Sequence, residues 1–341
     1  MKNYYIPKYG EFRCIAGACP DSCCAGWEIV LDDASVERYR TVSGGLGERI
    51  RQAMAEDADG DVIFAAQDGK CPFWNAAKLC DIHATLGEQA LCDTCRKFPR
   101  ITQDYGDFVE YDLSMECPEA ARMLLTLPPE KLQLRWEEHP ELAGDMPEYD
   151  ADRMQQLFEQ REMLFQLMRD TRHPALAQLS SCLKLACEWE NIPLSECSAT
   201  DSGTAIFAFL QSCEILTADW RRILEQSAAA QDKLGVISEA LDCEIRAFAF
   251  DFFYRQYLRA VFADSAILPV QQAAFSVCAV VSICCRLYLI TQEQQLRIWQ
   301  LFLKEIESDS DNVAELKWCL ETEEAFSPAA LCAYLEKLGD A

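Results

Sequence analysis

Two patterns of apolar and polar positions follow one another along the chain. From residue 152 onward, apolar side chains recur at intervals of three and four. Met154, Leu157, Phe158, Leu164, Phe165 and Met168 make one stripe, and Leu176, Leu179, Leu183 and Ala186 make the next. That period belongs to amphipathic helices. The run LGVISEALDCEIRAFAFDFFYRQYLRAVF is long and rich in aromatics, which predicts a central buried helix. VQQAAFSVCAVVSICCRLYLI is apolar almost all round and predicts a second one. TQEQQLRIWQLFLKEIES and SPAALCAYLEKLG read as closing helices with Thr291 and Ser327 as N-caps.

Before residue 122 the pattern is broken into short pieces. GWEIVLD predicts a short strand, and DASVERYRTV a helix with Asp33 or Ser35 near its N-cap. DVIFAAQDGKCPFWNAAKLCDIH reads as two or three extended pieces joined by tight turns. RITQDYGDFVEYDLSM predicts a hairpin about Tyr105-Gly106-Asp107, and CPEAARMLL a helix with Pro118 in its first turn. EEHPELAGDMPEYDAD, with two prolines and many acids, reads as a linker. The expected fold is mostly α. A Cys-rich, metal-stapled N-terminal region (1–122) with small β-hairpins packs on a C-terminal helical bundle (152–341), and residues 123–151 connect them.

Composition changes the picture in three ways. A net charge of −25 argues against nucleic acid and against an anionic membrane surface as partners. No run of eighteen uncharged apolar residues is present and MKNYYIPKYGEF lacks the form of a secretory signal, so the expected location is the cytoplasm and no membrane span is expected. In that reducing compartment nineteen cysteines are not expected to serve as disulfides.

Nine of them, Cys14, Cys19, Cys23, Cys24, Cys71, Cys80, Cys92, Cys95 and Cys117, lie among Gly, Pro, Asp and Asn, where loops can converge on one point. Soft thiolates favour iron–sulfur clusters or zinc. Cys92-x2-Cys95 has the spacing of a metal knuckle, and His83 in CDIH could close a zinc site. Neighbouring side chains diverge, so Cys23 and Cys24 either divide into one ligand and one packing residue or serve different metals. Nine thiols exceed the four a cubane takes. The later cysteines, among them Cys182, Cys187, Cys278, Cys284 and Cys285, lie in apolar helical stripes and are expected to pack in the core.

FRCIAGACPDSCCAGWEIVLD, CPFWNAAKLCDIH, LCDTCRKFPRI and LSMECPEAARMLL together resemble the flagellin lysine-N-methylase family, and FDFFYRQYLRAVF resembles its aromatic segment. The first part is also similar to Cys-rich zinc- or iron-chelating proteins. The resemblance implies methylation of flagellin lysines with S-adenosylmethionine and a [4Fe-4S] cluster, zinc being the alternative metal, with the nine cysteines above as ligand candidates. The other function open is a non-enzymatic metal-chelating or electron-transfer protein. Cys19-x3-Cys23 begins a radical S-adenosylmethionine motif, but Gly26 stands at its third position. SGGLG follows a predicted helix and reads as a plain loop rather than a nucleotide-binding turn. Lysine must be neutral to accept a methyl group; Asp251, Tyr254 and Tyr257 have suitable chemistry, with helix core as the plainer role.

Overall fold

The computed structural model describes residues 2–138, 149–194, 202–230, 237–263 and 265–340. The N-terminal part runs β1 (Lys2–Tyr5), β2 (Ile29–Val30), α1 (Asp33–Thr41), α2 (Gly44–Ala53), β3 (Met54–Glu56), β4 (Val62–Phe64), α3 (Asp81–Leu86), α4 (Asp93–Lys97), β5 (Arg100–Asp104), β6 (Phe108–Leu113), α5 (Pro118–Leu125) and β7 (Arg135–Glu138). Helices then follow without further strands: α6 (Ala151–Arg169), α7 (Ala175–Trp189), α8 (Ser202–Ser212), α9 (Ala218–Ala229), α10 (Glu239–Gln256), α11 (Ile267–Arg286), α12 (Gln292–Phe302), α13 (Ser310–Thr322) and α14 (Pro328–Gly339). The protein is mostly helical with small sheets, as the periodicity predicts.

Two sheets form, and they belong to different cores. β5-β6-β1-β7 is mixed: β5 and β6 make the expected hairpin, β1 lies parallel to β6 with Tyr4 opposite Glu110, and β7 is antiparallel to β1. Its inner residues Phe108 and Leu113 pack with α5 and the bundle in one large core. The three-stranded antiparallel sheet β2-β4-β3 packs with α1 and α2 in a small core of Ile29, Val36, Tyr39, Ile50, Phe64 and Phe73. The N-terminal strand β1 therefore sits inside the larger sheet, a long-range pairing that no local pattern announces.

Caps explain most boundaries. Asp32, not Asp33 or Ser35, caps α1, accepting from the Ser35 N–H at 2.9 Å. Thr291 closes a capping box with Gln294 at α12, and Ser327 caps α14, both as expected. SGGLG is not a plain loop. Ser43 is the N-cap and Gly44 the first residue of α2, and Gly47 brings that helix so close to the Val42 carbonyl that a Cβ would overlap it. Of the expected linker, Glu137 and Glu138 end β7 and Asp150 caps α6, while residues 139–148 lie outside the described residues. The last turn of the helix predicted over TQEQQLRIWQLFLKEIES widens into a π turn, Leu303–Glu307. Such turns recur at functional sites. Among the described residues one helix, α11, is long and apolar enough to cross a membrane, and 94% of its apolar window lies inside the protein.

Candidate metal centre

The fold places five of the nine N-terminal thiols in or against the small core. Cys71 and Cys92 are buried in the small core, with Cys24, Cys80 and Cys95 packed against it. Backbone bonds hold them there. The Cys71 N–H donates to the Cys24 carbonyl at 2.8 Å, and Cys80 bridges Trp74. Asp32, besides capping α1, accepts from the Asp93 N–H at 2.9 Å and so seats Cys92 at the N-terminus of α4. Cys117, the N-cap of α5, is buried in the large core instead. Cys14 and Cys23 are exposed and Cys19 is half-buried.

Among the described residues no three His, Cys, Asp or Glu side chains are already drawn together as metal ligands. The thiols instead bond one another in pairs. Cys23 donates to the Cys24 sulfur, which holds Cys24 down at about 7 while Cys23 is pushed far up. Cys95 and Cys92 repeat the arrangement, with Cys92 held at about 7. Burial raises Cys71 to about 12 and Cys117 to about 11. Beyond burial, what acts most strongly on Cys23 and Cys95 is other thiols: Cys24, Cys14 and Cys117 on the first, Cys92, Cys24 and Cys23 on the second. A set of sulfurs that raise each other's proton affinity can ionise together only around a cation, and sulfur selects a soft one. The donor set therefore fits a thiolate-bound metal.

The bundle clamps the loop that carries Cys23 and Cys24. Asp21 is the hub: Lys304 Nζ lies 3.3 Å from its Oδ2, and Arg297 and Gln300 donate to the same oxygen at 3.2 and 3.1 Å. Desolvation opposes its charge, but the Lys304 ammonium, the Ser22 N–H and Arg297 hold Asp21 below the usual carboxylate range. Lys304 also donates to the Ala25 carbonyl at 2.8 Å and stacks over Trp27, with its ring centroid 4.8 Å away. The π turn delivers this lysine. Sequence reading missed the clamp because Asp21 and Lys304 are 283 residues apart.

The same turn carries Glu307, which pairs with Arg255 at 2.7 Å. Arg255 stands between Asp112 on β6 and Asp251 on α10, at 3.7 and 3.9 Å. Burial raises both carboxyls, Asp112 to about 6 and Asp251 well above the usual carboxylate range. Burial raises Glu116 as well. Glu116 neighbours Cys117 in sequence, and its carbonyl accepts from Gln300. An acid cluster thus adjoins the thiols. Both Asp251 oxygens, Asp112 Oδ2 and Glu307 Oε1 have no hydrogen-bond partner.

Other candidates fall elsewhere. The His83 ring is exposed, and only its backbone N–H reaches the Cys80 sulfur. Tyr254 donates to the Tyr4 carbonyl at 2.9 Å and Tyr257 to Gln160 at 3.1 Å, so both hydroxyls brace the bundle. Cys182, Cys187, Cys278, Cys284 and Cys285 are buried in the large core, as expected. A cavity of about 400 Å³ lies between β1, β7 and α6, walled by Tyr4, Trp136 and Phe158. Its arginines are already engaged, Arg161 by Glu110 and Arg169 by Glu162 and the Leu132 carbonyl.

No family model matches the chain, and no solved structure matches it. Three curated proteins do. The flagellar biosynthetic protein FliU of Salmonella muenchen is 33% identical over 124 residues, 35% of this chain and 73% of FliU. Lysine-N-methylases of Salmonella typhimurium and Salmonella choleraesuis are 33% identical over 124 residues, again 35% of this chain, but the match spans only 31% of each methylase.

Proposed function

The chain belongs to the family of FliU and the lysine-N-methylases, and on that footing we propose that it is a protein-lysine N-methyltransferase. In this reading flagellin is the substrate, S-adenosylmethionine the methyl donor, and the cytoplasm the place of action. The N-terminal thiols hold a [4Fe-4S] cluster, with zinc as the alternative. The observation that carries the reading is the packing of five of these thiols in or against one small core, beside a loop clamped by the bundle, in a chain of this family.

When bound, an iron–sulfur cluster supplies a redox-active Lewis-acid centre. The residues of the chain do the rest. Cys14, Cys19, Cys23, Cys24, Cys71, Cys80, Cys92, Cys95 and Cys117 are the ligand candidates, and whichever bind must first release their protons. A lysine nitrogen must lose a proton before it can take a methyl group. In this reading Glu307 is the base that takes it: its side chain keeps 14% exposure, Arg255 orients one oxygen, and the other, Oε1, is buried without a hydrogen-bond partner and free to take a proton. In the aromatic cavity Arg161 and Arg169 are already held by glutamates and a carbonyl, so neither is open to the carboxylate of the methyl donor.

The test is transfer of labelled methyl from S-adenosylmethionine to flagellin lysines by anaerobically reconstituted protein. Wild type should incorporate label, and Glu307→Gln should lower kcat about 100-fold at neutral pH, the scale of lost general-base catalysis. Absence of label across several flagellins would overturn the reading; bound metal with no transfer would favour the metal-chelating or electron-transfer function.

A further inference from the structure

We infer that the nine N-terminal thiols form two metal centres rather than one, with the Cys23–Cys24 peptide as the boundary: Cys14, Cys19, Cys23 and Cys117 make the outer centre, and Cys24, Cys71, Cys80, Cys92 and Cys95 supply the inner one. This rests on the metal-binding part of the proposed function and goes beyond it.

Packing makes the first argument. All five inner thiols belong to the small core, two buried within it and three packed against it. Cys117 belongs to the large core with Phe12, Met115 and Leu124, on the other side of the boundary. Cys14 and Cys23 are exposed and Cys19 is half-buried, and none of the three packs in or against the small core. Backbone tethers make the second argument. The Cys24 carbonyl is bonded to the Cys71 N–H, Cys80 is bridged to Trp74, and α4 is bonded to Asp32, so backbone bonds hold the segments that carry the inner thiols. The two sets meet at the Cys23–Cys24 peptide, with Cys24 packed against the small core and Cys23 exposed outside it. Number makes the third. A tetrahedral ion or a cubane takes four sulfurs; the outer set supplies four, and the inner set four with one to spare.

Exposure separates their roles. Cys71 and Cys92 keep 8% and 1% of their surface, so the inner centre is closed and holds the small core together. Cys14 and Cys23 are exposed, so the outer centre is open to small molecules and lies beside Glu116 and the acid cluster. Closed sites of this kind are structural, and open ones leave room for a reactant. The ligand class is the same for both: a thiophilic metal, iron with sulfide or zinc.

The experiment is metal release from the reconstituted full chain under a chelator, with iron, sulfide and zinc counted per chain as they leave. Wild type should release metal in two phases, the outer centre at least 10-fold faster. Cys23→Ser should lose the fast phase alone. The double variant Cys92→Ser/Cys95→Ser, which leaves the inner set one ligand short, should lose the slow phase alone. If circular dichroism shows that double variant unfolded, Cys71→Ser/Cys80→Ser takes its place. A single phase, no bound metal, or loss of the same metal from both variants overturns the division. Methyl transfer, measured separately, keeps the two readings apart. Transfer with a single centre sinks only the division, and two phases without transfer sink only the methyltransferase.

Discussion

Glu244 on α10 is fully buried, with Oε2 accepting from Trp299 Nε1 at 3.2 Å and Oε1 unpartnered. Burial raises its carboxyl from 4.5 to about 8. The native state then holds a proton that the unfolded chain has released, so its contribution is intact below pH 4.5 and falls as pH rises through 8. At ~1.4 kcal/mol per pH unit, the loss by neutral pH is on the order of 3 kcal/mol. Glu244→Gln is expected to restore about that much at pH 7 and to flatten the slope between pH 5 and 8; urea midpoints across that range check it. Arg161 behaves in the opposite way. It forms a two-pronged pair with Glu110, at 3.1 and 2.7 Å, and each side chain keeps only 2% exposure. Glu110→Gln strands a buried guanidinium and should cost about 3–5 kcal/mol, whereas replacing both partners by apolar residues of like volume should cost less. A double-mutant thermal series would show the difference.

At the scale of elements, the contact that joins the two parts of the chain is the π turn against the Asp21–Trp27 loop. Gly26 has φ +97°, and a Cβ there would stand 2.9 Å from Lys304 Cε. Gly26→Ala should therefore strain the backbone and lift Lys304 together, a loss of about 1–3 kcal/mol. Lys304→Met should leave the helix in place, since Asp21 keeps Arg297 and Gln300, yet loosen the loop at Ala25, whose carbonyl loses its donor. The expected signature is faster alkylation of Cys19 and Cys24, both half-buried, with no change in the buried Cys182. Equal labelling rates in Lys304→Met and wild type would show that the lysine does not clamp the loop.

For the whole molecule, the two cores set the order of unfolding. The small core has few apolar side chains, and five thiols sit in or against it, so metal binding should contribute much of its folding free energy. The large core spans the bundle, α5 and the β5-β6-β1-β7 sheet and needs no metal. Removal of metal should open residues 14–97 to protease first and leave α6–α14 resistant, with most of the helical signal retained. Cuts falling equally in both parts would show that the thiols are not a folding staple.

What the sequence by itself determined is whatever depends on neighbours in the chain. The three-to-four spacing from Met154 to Met168 is enough to specify a helix and its buried face, because a helix side is built from nearby residues. The same holds for the β5–β6 hairpin, the Thr291 and Ser327 caps, and the core placement of helical thiols such as Cys278. The family resemblance, too, rested on local stretches around the cysteines, and a match over 124 residues bears it out. The tertiary structure decided what depends on distant partners. It placed β1 beside β6 and drew Lys304 onto Asp21 and Arg255 between Asp112, Asp251 and Glu307. It also made Tyr254 and Tyr257 braces where their chemistry alone would have suited a lysine pocket. A charge can be buried only where a partner from elsewhere in the chain meets it, and no run of adjacent letters records which partner that is.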